Sequence, residues 1–280
     1  MNKLLLVDGT NLLFQMFFGM PARIVNKQGK QIQGVLGFTG ALSKIIKRFE
    51  PTHVLVLFDG EHQNERKLVD ENYKANRVDY SLVDDSENPF TQLDDIYKVL
   101  DYLNVKRYET TVCETDDLIA SYSLTYGNEN EIIISSFDSD FFQLITNNVK
   151  VFRYRGDNSV VCDCNYLLNK FNITPDKYAH FKSLTGDSAD NIKGVHGIGP
   201  KRASELVNRF GSVDNLICSA SQIEQASVRN LITEDARKIK NNYKIIKLTN
   251  CCCLPFSLNE LSYKGNELTT KEILTKLNIF

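Results

Sequence analysis

The feature that most constrains the fold is a repeated pattern in which a short apolar run ends in an aspartate. "KLLLVD" ends at Asp8, "THVLVLFD" ends at Asp59, and "NEIIISSFDSD" contains Asp138 and Asp140. Amphipathic stretches such as "GVLGFTGALSKIIKRF" and "TDDLIASYSLTY" lie between these runs. Continuous apolar strands that alternate with amphipathic helices indicate a mainly parallel sheet covered by helices on both faces. We therefore predict an α/β core.

The pattern changes along the chain. We predict that residues 1–165 form the α/β core and that residues 166–280 form a mainly helical region. "VKVFRYRGDNSVV" predicts a hairpin that turns at residues 157–159. Residues 61–90 are polar and of mixed charge, and loops of this length in a compact domain are usually functional.

Bulk properties exclude several classes of protein. No apolar run approaches the ~20 residues that span a bilayer. The first apolar run is too short for a signal peptide and meets an acid at Asp8, so we expect a cytoplasmic protein. The seven cysteines include no CxxC pair, which argues against a zinc site, and we expect reduced, mostly buried thiols.

Acidic residues are expected to gather at one edge of the sheet. The carboxyl ends of parallel strands meet at the same edge, where ligands bind. "CETDDLIA" adds Glu114, Asp116 and Asp117 at a predicted helix start, and "LTGDSADN" adds Asp187 and Asp190. A single acid of this kind is commonly a turn residue or a helix cap, and acids in a first turn favour the helix dipole. Helix capping alone does not explain why three separate strands each end in an acidic residue.

The candidate carboxylates are numerous enough to predict bound metal. They are Asp8, Asp59, Glu114, Asp116, Asp117, Asp138, Asp140, Asp187 and Asp190. Crowded carboxylates take up protons unless cations neutralise them. Oxygen ligands suit Mg²⁺ or Mn²⁺, and too many ligands for one ion suggests two, as in displacement at phosphorus. Without these nine acids, 26 acidic residues face 33 basic ones, which is compatible with a polyanionic substrate.

A glycine-rich stretch, "GVHGIGPKRA", points to the same kind of substrate. It contains Gly194, Gly197 and Gly199, and then Lys201 and Arg202 open a predicted helix. Because glycines have no side chain, the backbone N–H groups are accessible, and together with the positive N-terminus of the helix they can bind phosphates. The stretch resembles the helix-hairpin-helix class of DNA-backbone binders, within a motif over residues 184–211.

Five motifs in order resemble the structure-specific 5′ nucleases, a family of bacterial and phage flap endonucleases that includes the 5′-nuclease domain of DNA polymerase I. The motifs are "LLLVDGTN", "LFDG" with "ERKLVDENYKANR", "CETDDLIAS", "FDSDFFQL" and "LTGDSADNIKGVHGIGPKRA". The resemblance implies a first metal ion held by Asp8, Asp59, Glu114 and Asp116. It implies a second held by Asp138, Asp140 and Asp190, with Asp116 near both and with Asp117 and Asp187 as outer or water-mediated ligands.

The resemblance also implies DNA contacts. Residues 61–90 would form a helical arch through which a 5′ single strand passes. Lys74 and Arg77 would contact the scissile phosphate, Tyr73 would stack on a base, and Arg66 lies on the same segment. The glycine turn would bind duplex DNA, often with K⁺ held by backbone carbonyls. One departure is Ser139, where many relatives carry lysine.

The sequence thus favours a monomeric flap endonuclease and 5′–3′ exonuclease of DNA replication and repair, acting on branched or 5′-flap DNA, including the flaps of Okazaki fragments. Two alternatives stay open. An acidic-site ribonuclease of the PIN type would share the sheet but would not need the glycine turn. A DNA-structure-binding protein without catalysis would be marked by lost ligands.

Overall fold

A computed structural model describes residues 2–60, 66–250 and 252–280. The chain builds one six-stranded sheet, and its strands are β1 (Lys3–Asp8), β2 (His53–Asp59), β3 (Lys106–Thr110), β4 (Glu131–Ser135), β5 (Val149–Arg153) and β6 (Val160–Cys162). The spatial order is β3-β2-β1-β4-β5-β6. All neighbouring pairs are parallel except β5 and β6, which form the predicted antiparallel hairpin. The predicted fold class is confirmed.

Helices cover both faces of this sheet, and others pack on neighbouring helices in the second half of the chain. They are α1 (Gly9–Gly19), α2 (Gln33–Phe49), α3 (Arg66–Val69), α4 (Leu93–Tyr102), α5 (Thr115–Tyr126), α6 (Cys164–Phe171), α7 (Tyr178–Thr185), α8 (Pro200–Phe210), α9 (Val213–Cys218), α10 (Ala226–Glu234), α11 (Ala236–Ile246) and α12 (Thr270–Lys276). Those that pack on other helices include α8, α9 and α10. A two-stranded hairpin, β7 (Gly186–Asp187) and β8 (Ile192–Lys193), lies between α7 and α8. The alternating side chains of the central strands enter two apolar clusters, as Leu4 and Leu5 show.

The end of the described chain returns to the first half. The backbone N–H of Tyr263 donates to the carbonyl of Thr52 over 2.8 Å. Ile273 and Leu274 of α12 are fully buried in the cluster that contains α2. The predicted helical region 166–280 is therefore not separate from the α/β core, because its last apolar residues complete that core.

The segment 61–90 differs from the helical arch that the resemblance implies. Residues 61–65 lie outside the described part of the chain. From residue 66 onward the segment contains only the four-residue α3 and short 3₁₀ turns at Tyr80–Leu82, Asp85–Glu87 and Pro89–Gln92. The physical reason is composition, since the segment offers few apolar residues at helical spacing for a longer helix to bury.

The cysteines also differ from the expectation of reduced, mostly buried thiols. Cys113, just before α5, forms a disulfide with Cys252. Cys162 is buried, whereas Cys218 and Cys253 are exposed. Cys251 lies outside the described residues. Among the described helices, none has the length and apolar character needed to cross a membrane.

Candidate metal centre and nucleic-acid interface

A cleft of about 920 Å³ opens at the carboxyl edge of β1, β2 and β4. Five of the predicted acids line it, namely Asp8, Asp59, Glu114, Asp116 and Asp138, and so does Asp79 of the segment 61–90. Lys74 and Arg77 line the same cleft. The predicted meeting of strand-end acids is thus present in the structure. We call Asp8, Asp59, Asp116 and Asp138 the first acid group.

Asp8 shows why this group calls for a cation. It ends β1 and caps α1, and its carboxylate accepts the N–H of Asn11 over 3.0 Å and the hydroxyl of Ser136 over 2.8 Å. Burial, followed by the nearby charge of Asp59, raises the pKa of Asp8 to about 7. Burial and then Asp138 raise the pKa of Asp116 well above its usual range. These carboxylates are costly to ionise together unless positive charge joins them.

A second acid group consists of Asp140, Asp187 and Asp190. One carboxylate oxygen of each lies within 4.8 Å of the others. Asp140 follows β4, whereas Asp187 and Asp190 belong to the β7–β8 hairpin and its turn, so the hairpin brings its acids to the sheet edge. Both groups offer oxygen ligands alone, which is the chemistry that hard divalent ions prefer. The residues therefore fit Mg²⁺ or Mn²⁺.

Lys182 is a residue of this site that the sequence analysis missed. It lies on α7, is 5% exposed, and its ammonium donates to Asp140 and Asp187 and, over 3.1 Å, to the hydroxyl of Ser139. Burial raises the pKa of Asp140 to about 7 although Lys182 opposes this. A signal was available, since Lys182 lies four residues after the buried Tyr178, on the same helix face.

Two predicted ligands, Glu114 and Asp117, are held by basic side chains. Glu114 accepts from Arg66 over 2.6 Å and from Lys74 over 3.1 Å. Burial opposes ionisation of Glu114, but Lys74 and Arg66 outweigh it and lower its pKa. Asp117 accepts from Arg66 and from the N–H of Thr249 over 3.0 Å. Arg66, expected to contact DNA, is largely buried at this junction and also donates to the carbonyl of Ile245 over 2.7 Å.

Lys74, Arg77 and Tyr73 of segment 61–90 also contact the acids. The backbone N–H of Lys74 donates to the carbonyl of Asp190 over 3.0 Å, and Arg77 pairs with the Asp190 carboxylate over 2.9 Å. Tyr73 is 4% exposed, and its hydroxyl donates to Glu114 over 3.2 Å. The structure therefore does not present the ring of Tyr73 for stacking on a base, because the ring packs inside the protein.

The glycine turn has the predicted form of two helices joined by a hairpin. A Cβ atom at Gly194 would lie 2.4 Å from the carbonyl oxygen of Thr185, so only glycine fits. Val195 and Ile198 are buried and anchor the turn, while Gly197 adopts φ 82°. The remaining predicted residues of the turn continue it into α8: Gly199 caps that helix, Lys201 is exposed in its first turn, and Arg202 donates to the carbonyl of Gly197 over 3.2 Å.

The sequence analysis also missed a buried side chain, Asn242, that holds α7 and the β7–β8 hairpin together, just before the glycine turn. Asn242 of α11 is buried, and its amide donates to the carbonyls of Ser183 over 3.0 Å and Lys193 over 2.9 Å. One side chain thus joins α7 to β8 just before the turn. Helix α11 therefore positions both the glycine turn, through Asn242, and Arg66, through the carbonyl of Ile245.

A parallel sheet with an acid-lined carboxyl edge, coupled to a glycine turn between two helices, defines a nuclease architecture. The model of the 5′–3′ exonuclease N-terminal resolvase-like domain matches residues 3–172, and that of the 5′–3′ exonuclease C-terminal SAM fold matches residues 173–269. The chain therefore belongs to the 5′–3′ exonuclease family.

Individual relatives agree with this assignment. A 5′–3′ exonuclease of Aquifex aeolicus is 27% identical over 99% of this chain and 96% of its own length. The DNA polymerase I proteins of Bacillus caldotenax and Rhizobium leguminosarum are 28% and 30% identical. The chain spans 30% and 26% of the length of these two polymerases.

Solved structures show the same fold. The 5′-exonuclease of bacteriophage T5 with bound divalent zinc superposes with a TM-score of 0.72 at 22% identity, covering 88% of this chain and 89% of that one. The T5 flap endonuclease in a pseudo-enzyme-product complex with DNA and metal ions gives 0.71 at 21% identity over the same shares.

Proposed function

We propose that this protein is a 5′ nuclease that cleaves 5′ flaps of branched DNA near their junction with the duplex and removes nucleotides from 5′ ends. The observation that carries the proposal is the meeting of three acid-bearing strand ends with Lys74 and Arg77 in one cleft. The family supports hydrolysis of phosphodiesters. Action as a monomer in the cytoplasm, in DNA replication and repair, including Okazaki flap removal, belongs to the same proposal.

The two acid groups account for the cofactor requirement. We assign one divalent ion to the first acid group with Glu114 and one to the second, with Mg²⁺ as the natural ion and Mn²⁺ as a substitute. This differs from the sets that the resemblance implies, because Asp138 moves to the first ion and Asp187, whose carboxylate lies with those of Asp140 and Asp190, becomes a direct ligand of the second. Two such ions activate water and stabilise the leaving oxygen in displacements at phosphorus. Asp117 acts from outside the coordination sphere, because unlike Glu114 it does not line the acid cleft, and its oxygens engage Arg66 and Thr249.

Lys74 and Arg77 hold the scissile phosphate. Without substrate they pair with Glu114 and Asp190. A phosphodiester in the cleft offers them anionic oxygens in place of these carboxylates. Their charge then stabilises the negative charge that grows on the phosphate during cleavage, which is the larger part of catalysis in sites of this kind.

The glycine turn holds the duplex. Its backbone N–H groups and Lys201 face phosphates, and contacts of this kind carry no information about base sequence. Selection of substrate then depends on DNA shape. K⁺ bound by backbone carbonyls of the turn is part of this proposal.

One assay tests the function. The purified protein with Mg²⁺ is incubated with end-labelled flap, nicked and single-stranded DNA, and with single-stranded RNA. We expect cleavage of the flap near its junction, loss of cleavage in EDTA, and recovery in Mn²⁺. Cleavage confined to RNA would favour the PIN-type alternative. Tight binding of flap DNA without cleavage in either ion would favour a binding protein.

A further inference from the structure

Lys182 places a positive charge inside the second acid group. Its ammonium bridges Asp140 and Asp187, which belong to different parts of the chain, and its side chain is 6% exposed. The third member, Asp190, pairs with Arg77. In the metal-free protein, each carboxylate of the second acid group therefore already has a cationic partner.

The first acid group differs in this respect. The nearby basic side chains Arg66 and Lys74 direct their ion pairs to Glu114. Within residues 2–60, 66–250 and 252–280, no ion pair reaches the first acid group. Its four aspartates thus accept a divalent ion without displacing a paired ammonium or guanidinium group, whereas Glu114, the further ligand proposed for this ion, joins them only by loosening its contacts with Arg66 and Lys74.

An ion that enters the second acid group meets a cation already in place. Like charges a few ångströms apart repel strongly where the surroundings exclude water. Asp140 is buried, and Asp187 is partly buried, so screening by solvent is weak. The ion can take both carboxylates only if Lys182 leaves at least one of them, and the flexible four-carbon stem of lysine permits such a movement.

We propose that Lys182 is an internal competitor for the divalent ion of the second acid group. It neutralises Asp140 and Asp187 while no ion is bound, and it gives way when one enters. The two ions then bind in order, the first acid group filling at lower concentration. This inference rests on the two-ion function proposed above. In it, Lys182 acts as a positioning residue that controls whether the second acid group holds its ion.

The test is a titration with Mn²⁺ in which free ion is followed by electron paramagnetic resonance, without DNA. The proteins are the wild type, Lys182→Met, and the control Lys98→Met, which removes an exposed lysine whose ion-pair partner, Asp95, belongs to neither acid group. We expect two classes of site in the wild type. Lys182→Met should tighten the weaker class by roughly tenfold or more, because one repelling charge is removed, and should leave the tighter class unchanged.

Thermal unfolding provides a second readout if Lys182→Met folds poorly. Lys182→Gln removes the charge but retains a hydrogen-bond donor, so it serves as the second variant. Without Lys182, Asp140 and Asp187 lose their neutralising partner, and the variant should melt at a lower temperature in EDTA. Mn²⁺ should then raise the melting temperature more in the variant than in the wild type, because ligands that bind the folded state stabilise it in proportion to their affinity.

The outcomes separate this inference from the proposed function. A wild type that binds no Mn²⁺ refutes both. In a second outcome, the wild type shows two classes of site whose affinities Lys182→Met leaves unchanged or weakens. If Mn²⁺ then also raises the melting temperature equally in the wild type and the variant, the competitor role alone is overturned. A wild type that binds one ion while Lys182→Met binds two supports competition, and one ion in both proteins contradicts it.

Discussion

The guanidinium of Arg66 donates to one carboxylate oxygen of Asp117 over 2.9 Å and lies 2.8 Å from the other as an ion pair. The two side chains are 12% and 9% exposed. This contact joins the polar segment 61–90 to α5, the helix that carries Asp116. Asp117 therefore holds Arg66, and with it the start of the segment 66–90, against the helix α5.

Asp117→Asn should therefore lower stability. Removing one partner of a buried ion pair costs about 3–5 kcal/mol, and we expect a loss near the lower end because the amide still accepts one bond. Chemical denaturation in EDTA measures the free energy of unfolding, with the exposed Asp94→Asn as control. Unchanged stability together with lost ion binding would instead make Asp117 a direct ligand.

Asp138→Ala should abolish cleavage while DNA binding largely survives. Asp138 lines the acid cleft, whereas the glycine turn that we assign to duplex binding is formed by other residues. Flap cleavage and equilibrium binding are measured on the same DNA, and Asp140→Ala should behave in the same way. Turnover near the wild-type rate in Mg²⁺ would refute the two-ion assignment.

Lys74→Ala should slow the chemical step. Its ammonium lies 3.1 Å from Glu114 at the cleft and is positioned to stabilise charge on the phosphate. Loss of such a contact is worth about 2.7–4 kcal/mol, or a hundredfold or more in single-turnover rate. The exposed Lys67→Ala on α3 is the matched control. If the defect of Lys74→Ala lay wholly in binding, this role would be wrong.

Lys201→Ala should weaken duplex binding equally for all sequences. Lys201 is exposed in the first turn of α8, directly after the glycine turn. The slope of log affinity against log salt concentration should fall by roughly one unit for the lost phosphate contact. Lys27→Ala, in the loop before α2, is the control. A sequence-dependent loss would argue against backbone recognition.

His180 should make stability depend on pH. Its ring stacks on Tyr243 at 4.4 Å, and burial, followed by the charge of Lys247, lowers its pKa from 6.5. The unfolded chain then binds a proton more readily than the folded one, so stability is present above about pH 6.5 and falls as pH drops, by up to about 1.4 kcal/mol per unit. Denaturation between pH 7.5 and 5 should show a smaller slope for His180→Gln than for the exposed control His196→Gln. Equal slopes would contradict this origin.

The parts of the fold that the sequence predicted depend on local patterns. Apolar runs ending in Asp8, Asp59 and Asp138 identify strands and, because parallel strands end at one edge, also bring their acids together. The glycine turn was predictable for a similar reason, since Gly194 stands where no side chain fits. The metal-binding roles of these acids stay predictions.

The rest depends on packing between distant segments. The spacing of Lys182 from Tyr178 places it on the buried face of α7, but its acidic partners are defined only when α7 packs against the turn after β4. Asn242 likewise has no evident role until α11 packs against α7 and β8. Tyr73 was expected at the DNA, but its ring is buried in an apolar cluster with Ile192 and Ile245, which lie far away in the sequence. No short pattern records which of these contacts forms.

The return of residues 262–279 to the sheet has a consequence for biosynthesis. A ribosome releases the chain from its N-terminus, so β1, β2 and α2 emerge long before Tyr263 reaches Thr52 or Leu274 covers the apolar face of α2. Until then the nascent first half exposes apolar surface that chaperones recognise. The apolar cluster that contains α2 is therefore completed only after the glycine turn has been made.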